Sequence, residues 1–135
     1  MRAVALALIR RDEEILVERG YDTAKTEMFY RLLGGTIEFG ELGADAVRRE
    51  LREELGIEIE VGPRIATIEN IFTWEGKPWH EIALVYDCAP GDADLPEGEW
   101  KVPEGGVTHE VCWKRPSDFG AGGERLYPEE LLELL

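Results

Sequence analysis

The sequence is short of positive charge: 15 lysines and arginines stand against 29 aspartates and glutamates, for a formal net charge of −14. A surface that binds long nucleic acid neutralises phosphates with basic side chains, and this chain has little to build one from. It is also short of cysteine. Cys88 and Cys112 are its only two. Both lie in apolar, strand-like runs without a metal-site spacing such as C-x-x-C, so they are expected to be buried, reduced thiols. That usage fits a reducing compartment. No apolar stretch approaches the ~20 residues of a membrane span. Residues 1–8 carry one basic residue and a short apolar run without a signal-peptide cleavage pattern, so the expectation is a cytoplasmic protein with no membrane partner. Repeats and low-complexity segments are absent too. What remains is 135 residues of ordinary apolar content, read as one domain over residues 1–135.

Along the chain, Val4 to Ile9 reads as a buried strand and Arg10 to Glu14 as a turn. Ile15 to Val17 completes a hairpin. Tyr21 to Glu27 is a polar loop, and Met28 to Leu33 is a third strand ending at Gly34-Gly35. The clearest element is a helix over Gly43 to Leu55, where Val47, Leu51 and Leu55 form an apolar stripe. Gly56 stands where a helix-ending glycine is expected. Ile57 to Val61 alternates as a strand should. Ala66 to Phe72 and Glu81 to Cys88 read as hairpin arms, with Trp74, Gly76, Pro78 and Trp79 in their connection. Ala89 to Gly106, rich in Pro, Gly and acids, reads as a long loop. Val111 to Trp113 is a last strand, and Pro128 to Leu135 a terminal helix. The order implies an α/β fold with a mixed sheet between helices.

The helix carries the chemistry. Glu50, Glu53 and Glu54 are spaced i, i+3 and i+4, so they share a face, where like charges repel. Such a cluster opposes folding unless a cation sits among them, and hard divalent cations take carboxylate oxygens as ligands. The stripe of Val47, Leu51 and Leu55 is expected to anchor the helix to the sheet and hold the acids outward. Gly34-Gly35 just before it lets the backbone approach a ligand closely. A metal beside a glycine-rich loop is a plausible seat for a pyrophosphate, because metal ions reverse the local sign in an acidic protein.

The full spacing goes further. Gly35, five residues, Glu41, seven residues, Arg49-Glu50-Leu51, one residue, Glu53-Glu54, one residue, Gly56-Ile57 matches the Nudix box at every specified position. The chain resembles the Nudix hydrolase family. The resemblance implies an α/β/α sandwich that hydrolyses nucleoside diphosphates linked to another moiety, with Mg²⁺ or Mn²⁺ as cofactor. It implies Glu50 and Glu54 as the main metal ligands, Glu53 as a further ligand or support, and the Gly35 or Gly34 carbonyl as another ligand. A box glutamate (Glu50, Glu53 or Glu54), or one from a later loop (Glu104 or Glu110), would take the proton from the attacking water. Arg49 would pair with Glu41 in a structural role. The family often has Pro before the double glycine, whereas this chain reads Leu32-Leu33-Gly34-Gly35.

Residues outside the box select the substrate. Trp74 and Trp79, with Phe72, Tyr21 and Phe39, are candidates to stack a nucleobase, though Phe72 reads better as core. Arg31, on the strand leading to the glycines, is a candidate for a phosphate. His80 and Glu81 are strand neighbours that point to opposite faces, so they do not form a pair. The expected partner is a nucleotide-type small molecule, and a homodimer is compatible with the sequence. Two rival readings are a catalytically silent nucleotide sensor and an RNA 5′-end pyrophosphohydrolase, the second disfavoured by the acidic balance.

Overall fold

Val4 to Ile9 are buried without interruption, because the first strand has a core on each of its faces. Val4, Leu6 and Leu8 face one apolar cluster, and Ala5, Ala7 and Ile9 face a second. A computed structural model of the chain describes residues 1–104, 107–120 and 122–135. Its strands are β1 (Arg2–Arg11), β2 (Glu14–Asp22), β3 (Glu27–Arg31), β4 (Leu33–Thr36), β5 (Glu60–Trp74), β6 (Lys77–Ala89), β7 (Trp100–Glu104), β8 (Val107–Lys114) and β9 (Leu126–Tyr127). Helix α1 (Gly43–Leu55) follows β4, and 3-10 turns cover Pro116–Asp118 and Glu129–Leu134.

The sheet runs β5-β6-β1-β2-β3-β9, with β4 on β1, and β8 on β2 and β7. β1 is parallel to β6 from Arg2 to Ile9, and β9 is parallel to β3. The remaining pairs are antiparallel, so the sheet is mixed. β1 joins its two parts: most of the strand pairs with β6, while only Arg10 and Arg11 pair with β2. Helix α1 lays Ala46, Val47 and Leu51 on the second cluster. The C-terminal turn seats Leu131 on the first, with Leu132 and Leu135 packed against it. Cys88 and Cys112 are buried and not disulfide-bonded, and burial pushes the Cys88 thiol up to about 11. Among the described residues, no helix is long and apolar enough to cross a membrane.

Helix α1 has the expected bounds, and Gly56 (φ 68°) closes it by donating its N–H to the Arg52 carbonyl at 2.9 Å. Several other expectations need correction. The strand expected over Met28 to Leu33 is two strands that change partner at Leu32: β3 pairs with β2 and β9, whereas β4 pairs with β1. Gly34 and Gly35 lie inside β4 and are not a loop. Ile57 and Ile59 alternate, but they seal the end of the helix-side core, and the next strand starts at Glu60. The hairpin connection is only Glu75-Gly76, both at positive φ (53° and 75°), as a tight two-residue hairpin turn requires. Trp74 and Trp79 therefore sit in strands, paired with Lys77 and Phe72. The long loop contains β7, whose Trp100 and Val102 pack on the second cluster. Pro103 is tolerated there because β7 pairs only with β8. The terminal helix is a 3-10 turn, too short for an α-helix to gain from cooperativity.

Gly34 adopts φ 148°, and a Cβ there would lie 2.0 Å from the Ala5 carbonyl oxygen. Gly34→Ala is expected to lower the unfolding free energy by about 2 kcal/mol or more, from backbone strain plus a clash that only strand separation relieves. Urea denaturation checks this; a variant within a few tenths of wild type would contradict the close β1–β4 approach.

Candidate active site

The β4 glycines border both helix α1 and the cleft. Gly35 pairs with Ala5 and Gly34 with Leu6. A Cβ on Gly35 would fall 2.4 Å from Glu50 Cδ and 2.6 Å from both of its carboxylate oxygens. The missing side chain is thus what lets the Glu50 carboxylate rest against the strand. Gly34 and Gly35 also line a cavity of 490 Å³, a size typical of small-molecule sites.

On the helix side the positive charge comes from Arg49. It donates Nε to Glu41 Oε2 and Nη2 to Glu41 Oε1, both at 2.9 Å. Nη2 also reaches the Thr36 carbonyl at 3.0 Å. Nη1 lies 3.0 Å from Glu50 Oε1 and 3.3 Å from Glu53 Oε2. One guanidinium therefore ties the loop before the helix to two glutamates of the cluster. The Arg49 hydrogen bonds, helped by the Glu38 backbone N–H, hold the Glu41 carboxyl down at about 2.

The three glutamates are not equally outward. Glu53 has half of its side chain exposed and Glu50 16%, but Glu54 is 4% exposed. The expectation that the whole acidic face points outward is corrected here. Glu54 lies three residues after Leu51 and seven after Val47, so it continues their buried stripe, whereas Leu55 is only partly buried. Among the described residues, no group of three or more His, Cys, Asp or Glu is arranged to hold a metal ion. Arg49 Nη1 stands between Glu50 and Glu53 instead.

The cavity on the other side is lined by Arg31, Tyr21, Phe72, Trp74 and Trp79. Phe72, expected as core, thus reaches the cleft. Its ring lies 6.5 Å from that of Trp79 with 10° between planes, and the Arg2 guanidinium sits 5.1 Å from the Trp79 ring centre. Trp74 donates its indole N–H to the Tyr21 carbonyl at 3.2 Å. Arg31 lies 3.6 Å from Glu18. Phe39 is fully exposed and outside the cavity lining. Glu110 pairs with Arg19 at 3.2 Å and Lys101 at 3.8 Å. Glu104 ends β7, and its side chain lies outside the described residues. His80 pairs with Glu69 and Glu81 with Arg2, on separate sides as strand geometry requires.

Sequence reasoning missed Glu18, His109 and Asp22, all of which line the cavity. Glu18 and Asp22 are buried carboxylates. Asp22 Oδ1 accepts the backbone N–H groups of Ala24, Lys25 and Glu75, joining the β2–β3 turn to the β5–β6 turn. The only signal for Glu18 was a charge directly after the apolar run Ile15 to Val17.

The fold is that of solved hydrolases. A structure described as a MutT NUDIX hydrolase from Burkholderia pseudomallei matches with a TM-score of 0.66 and 28% identity, over 97% of this chain and 94% of that one. The family model described as NUDIX domain matches residues 1–135. The chain belongs to the Nudix hydrolase family and is a pyrophosphohydrolase of that family. A CTP pyrophosphohydrolase of Escherichia coli (strain K12) is 31% identical, covering 72% of this chain and 90% of the relative. A MutT-like protein of Streptomyces ambofaciens is 29% identical over 98% of this chain and 75% of the relative.

Because its folded pKa is depressed, Glu41 contributes stability that is present above its unfolded pKa and lost as pH falls through about 2. A ¹³C carboxyl titration should place the Glu41 midpoint near pH 2, and Arg49→Ala should move it to the ordinary range of about 4.3. A wild-type midpoint in the ordinary range would show that the Arg49–Glu41 pair does not persist in solution.

Proposed function

We propose that this chain hydrolyses a pyrophosphate bond in a nucleoside diphosphate linked to another moiety, using Mg²⁺ or Mn²⁺ on the helix side of Gly35. The observation that carries this reading is the Glu50 carboxylate lying where a Gly35 side chain would be, with the same glycine lining the ligand-sized cavity. The donor set fits the metal: carboxylates of Glu50, Glu53 and Glu54 and the Gly35 carbonyl are all hard oxygen donors, as Mg²⁺ prefers.

When bound, the ion would supply Lewis-acid polarisation of the phosphate and a more acidic water. The protein's own residues do the rest. Glu50 and Glu54 would hold the ion, with Glu53 at the exposed side. The Arg49–Glu41 pair fixes the loop against the helix and shares its charge with Glu50 and Glu53. A nucleobase lies in the cavity against Trp79, Phe72 and Trp74, and Arg31 faces the phosphates. A box glutamate accepts the proton of the attacking water. The similarity to a CTP pyrophosphohydrolase makes nucleoside triphosphates the first substrates to assay.

A panel of nucleoside triphosphates, ADP-ribose, nucleotide sugars and dinucleoside polyphosphates should reveal turnover that requires added Mg²⁺ or Mn²⁺. Glu50→Gln and Glu54→Gln should each lower kcat on the order of 10²-fold or more, because metal ligation contributes several kcal/mol of transition-state stabilisation. Glu58→Gln should change little, since Glu58 is exposed and engaged by Arg52 at 2.6 Å. Wild-type kcat in both box variants at saturating Mg²⁺ would overturn the metal assignment.

A further inference from the structure

Glu18, on β2, is among the residues that line the cavity and is only 4% exposed. One of its oxygens is taken: Oε1 lies 2.5 Å from His109 Nδ1 and 3.6 Å from Arg31. The other, Oε2, is buried and has no hydrogen-bond partner among the described residues. In the same cavity the indole Nε1 of Trp79 is a buried donor without an acceptor among the described residues. A carboxylate oxygen can only accept and an indole N–H can only donate. The wall of one cleft thus holds an unmet acceptor and an unmet donor, together with the nearly parallel rings of Phe72 and Trp79. Unmet buried polar groups are costly, so they mark where a ligand's own polar edge fits.

We infer that Glu18 is a specificity-determining residue that selects a nucleobase bearing an exocyclic amino group, through an N–H···O bond to its free carboxylate oxygen. This rests on the nucleotide-hydrolase reading above and adds the class of base. Flat aromatic walls accept any base, because every base has a π-face; the carboxylate supplies the discrimination. An amino group at the pyrimidine 4-position donates to Glu18. A carbonyl at that position turns a lone pair toward an anionic oxygen and leaves both groups unpaired, and sites built around a hydrogen bond reject such analogues strongly. The Trp79 N–H suits a ring nitrogen or carbonyl on the same base. His109 engages the carboxylate through its other oxygen, which leaves Oε2 for the ligand.

CTP and UTP differ in the base at the 4-position, amino against carbonyl, and at N3, which accepts in cytosine and donates in uracil, so their kcat/KM values are compared with Mg²⁺ in wild type and in Glu18→Gln. The carboxamide keeps the shape but can donate as well as accept. Wild type should favour CTP at least about tenfold, the scale of one charge-assisted hydrogen bond. In Glu18→Gln the ratio should fall toward one, with most of the change in KM. A wild-type ratio near one, or an unchanged ratio in the folded variant, overturns the role of Glu18 and leaves the hydrolase reading intact. Absence of turnover on every nucleotide overturns that reading instead. Tryptophan fluorescence of the wild type titrated with CMP and UMP, without metal, then decides the matter for Glu18, as it does if Glu18→Gln does not fold. CMP binding at least about tenfold tighter supports the assignment, and equal binding overturns it.

Discussion

The close approach of the β4 backbone to its neighbours on two sides is the constraint on which the rest of the site depends. Gly34 meets the Ala5 carbonyl, and Gly35 meets the Glu50 carboxylate. Any side chain at the first position would push β4 off β1. One at the second would push a helix glutamate away from the strand. The two glycines thus do different work: one holds the sheet together, and the other lets a carboxylate reach a backbone that also lines the cleft. Gly35 thus borders both the acidic helix face and the cleft.

Charge balance on the helix side follows from the same arrangement. Three glutamates on one helical face repel, and Arg49 offsets this from within the box by reaching Glu41, Glu50 and Glu53 at once. Glu41 accounts for the first and largest part of the upward shift of the Arg49 pKa, which makes that pair the anchor and the contacts to Glu50 and Glu53 the looser ends. A divalent ion bound there as proposed would compete with the guanidinium for Glu50 and Glu53, while Glu41 would keep Arg49 in place. The protein is acidic as a whole, and the single Arg49 guanidinium offsets only part of the charge of Glu41, Glu50 and Glu53.

Much of this was legible in the sequence, and the reasons differ by element. Helix α1 was readable to the residue because its stripe, its spacing of acids and Gly56 all pointed to the same bounds. The spacing of the box identified the family before any fold was known. Strands were located by their apolar runs, but their ends were not, since polar residues extend β1 and β2 at the surface. β4 was hidden because glycines read as a loop, and only the pairing partner shows that a strand is possible there. β7 was hidden because acids and prolines surround the alternation of Trp100 and Val102. The cleft was the least readable part. Its walls come from β1, β2, β3, β4, β5, β6, β8 and β9, and a buried acid such as Glu18 looks the same in sequence as a solvated one. The inward turn of Glu54 was missed because Leu55, next to it, offered the more obvious apolar position.

The central claim is that Gly35 brings a metal-binding carboxylate to the edge of the cleft, and Gly35→Ala tests it most directly. The added methyl meets the far end of a flexible side chain, so the fold should tolerate it, with unfolding free energy changed by less than about 1 kcal/mol. Mn²⁺ affinity, measured by electron paramagnetic resonance of the free ion, should fall about tenfold or more as the Glu50 carboxylate is displaced. Retention of wild-type Mn²⁺ affinity by a stably folded Gly35→Ala protein would contradict the account.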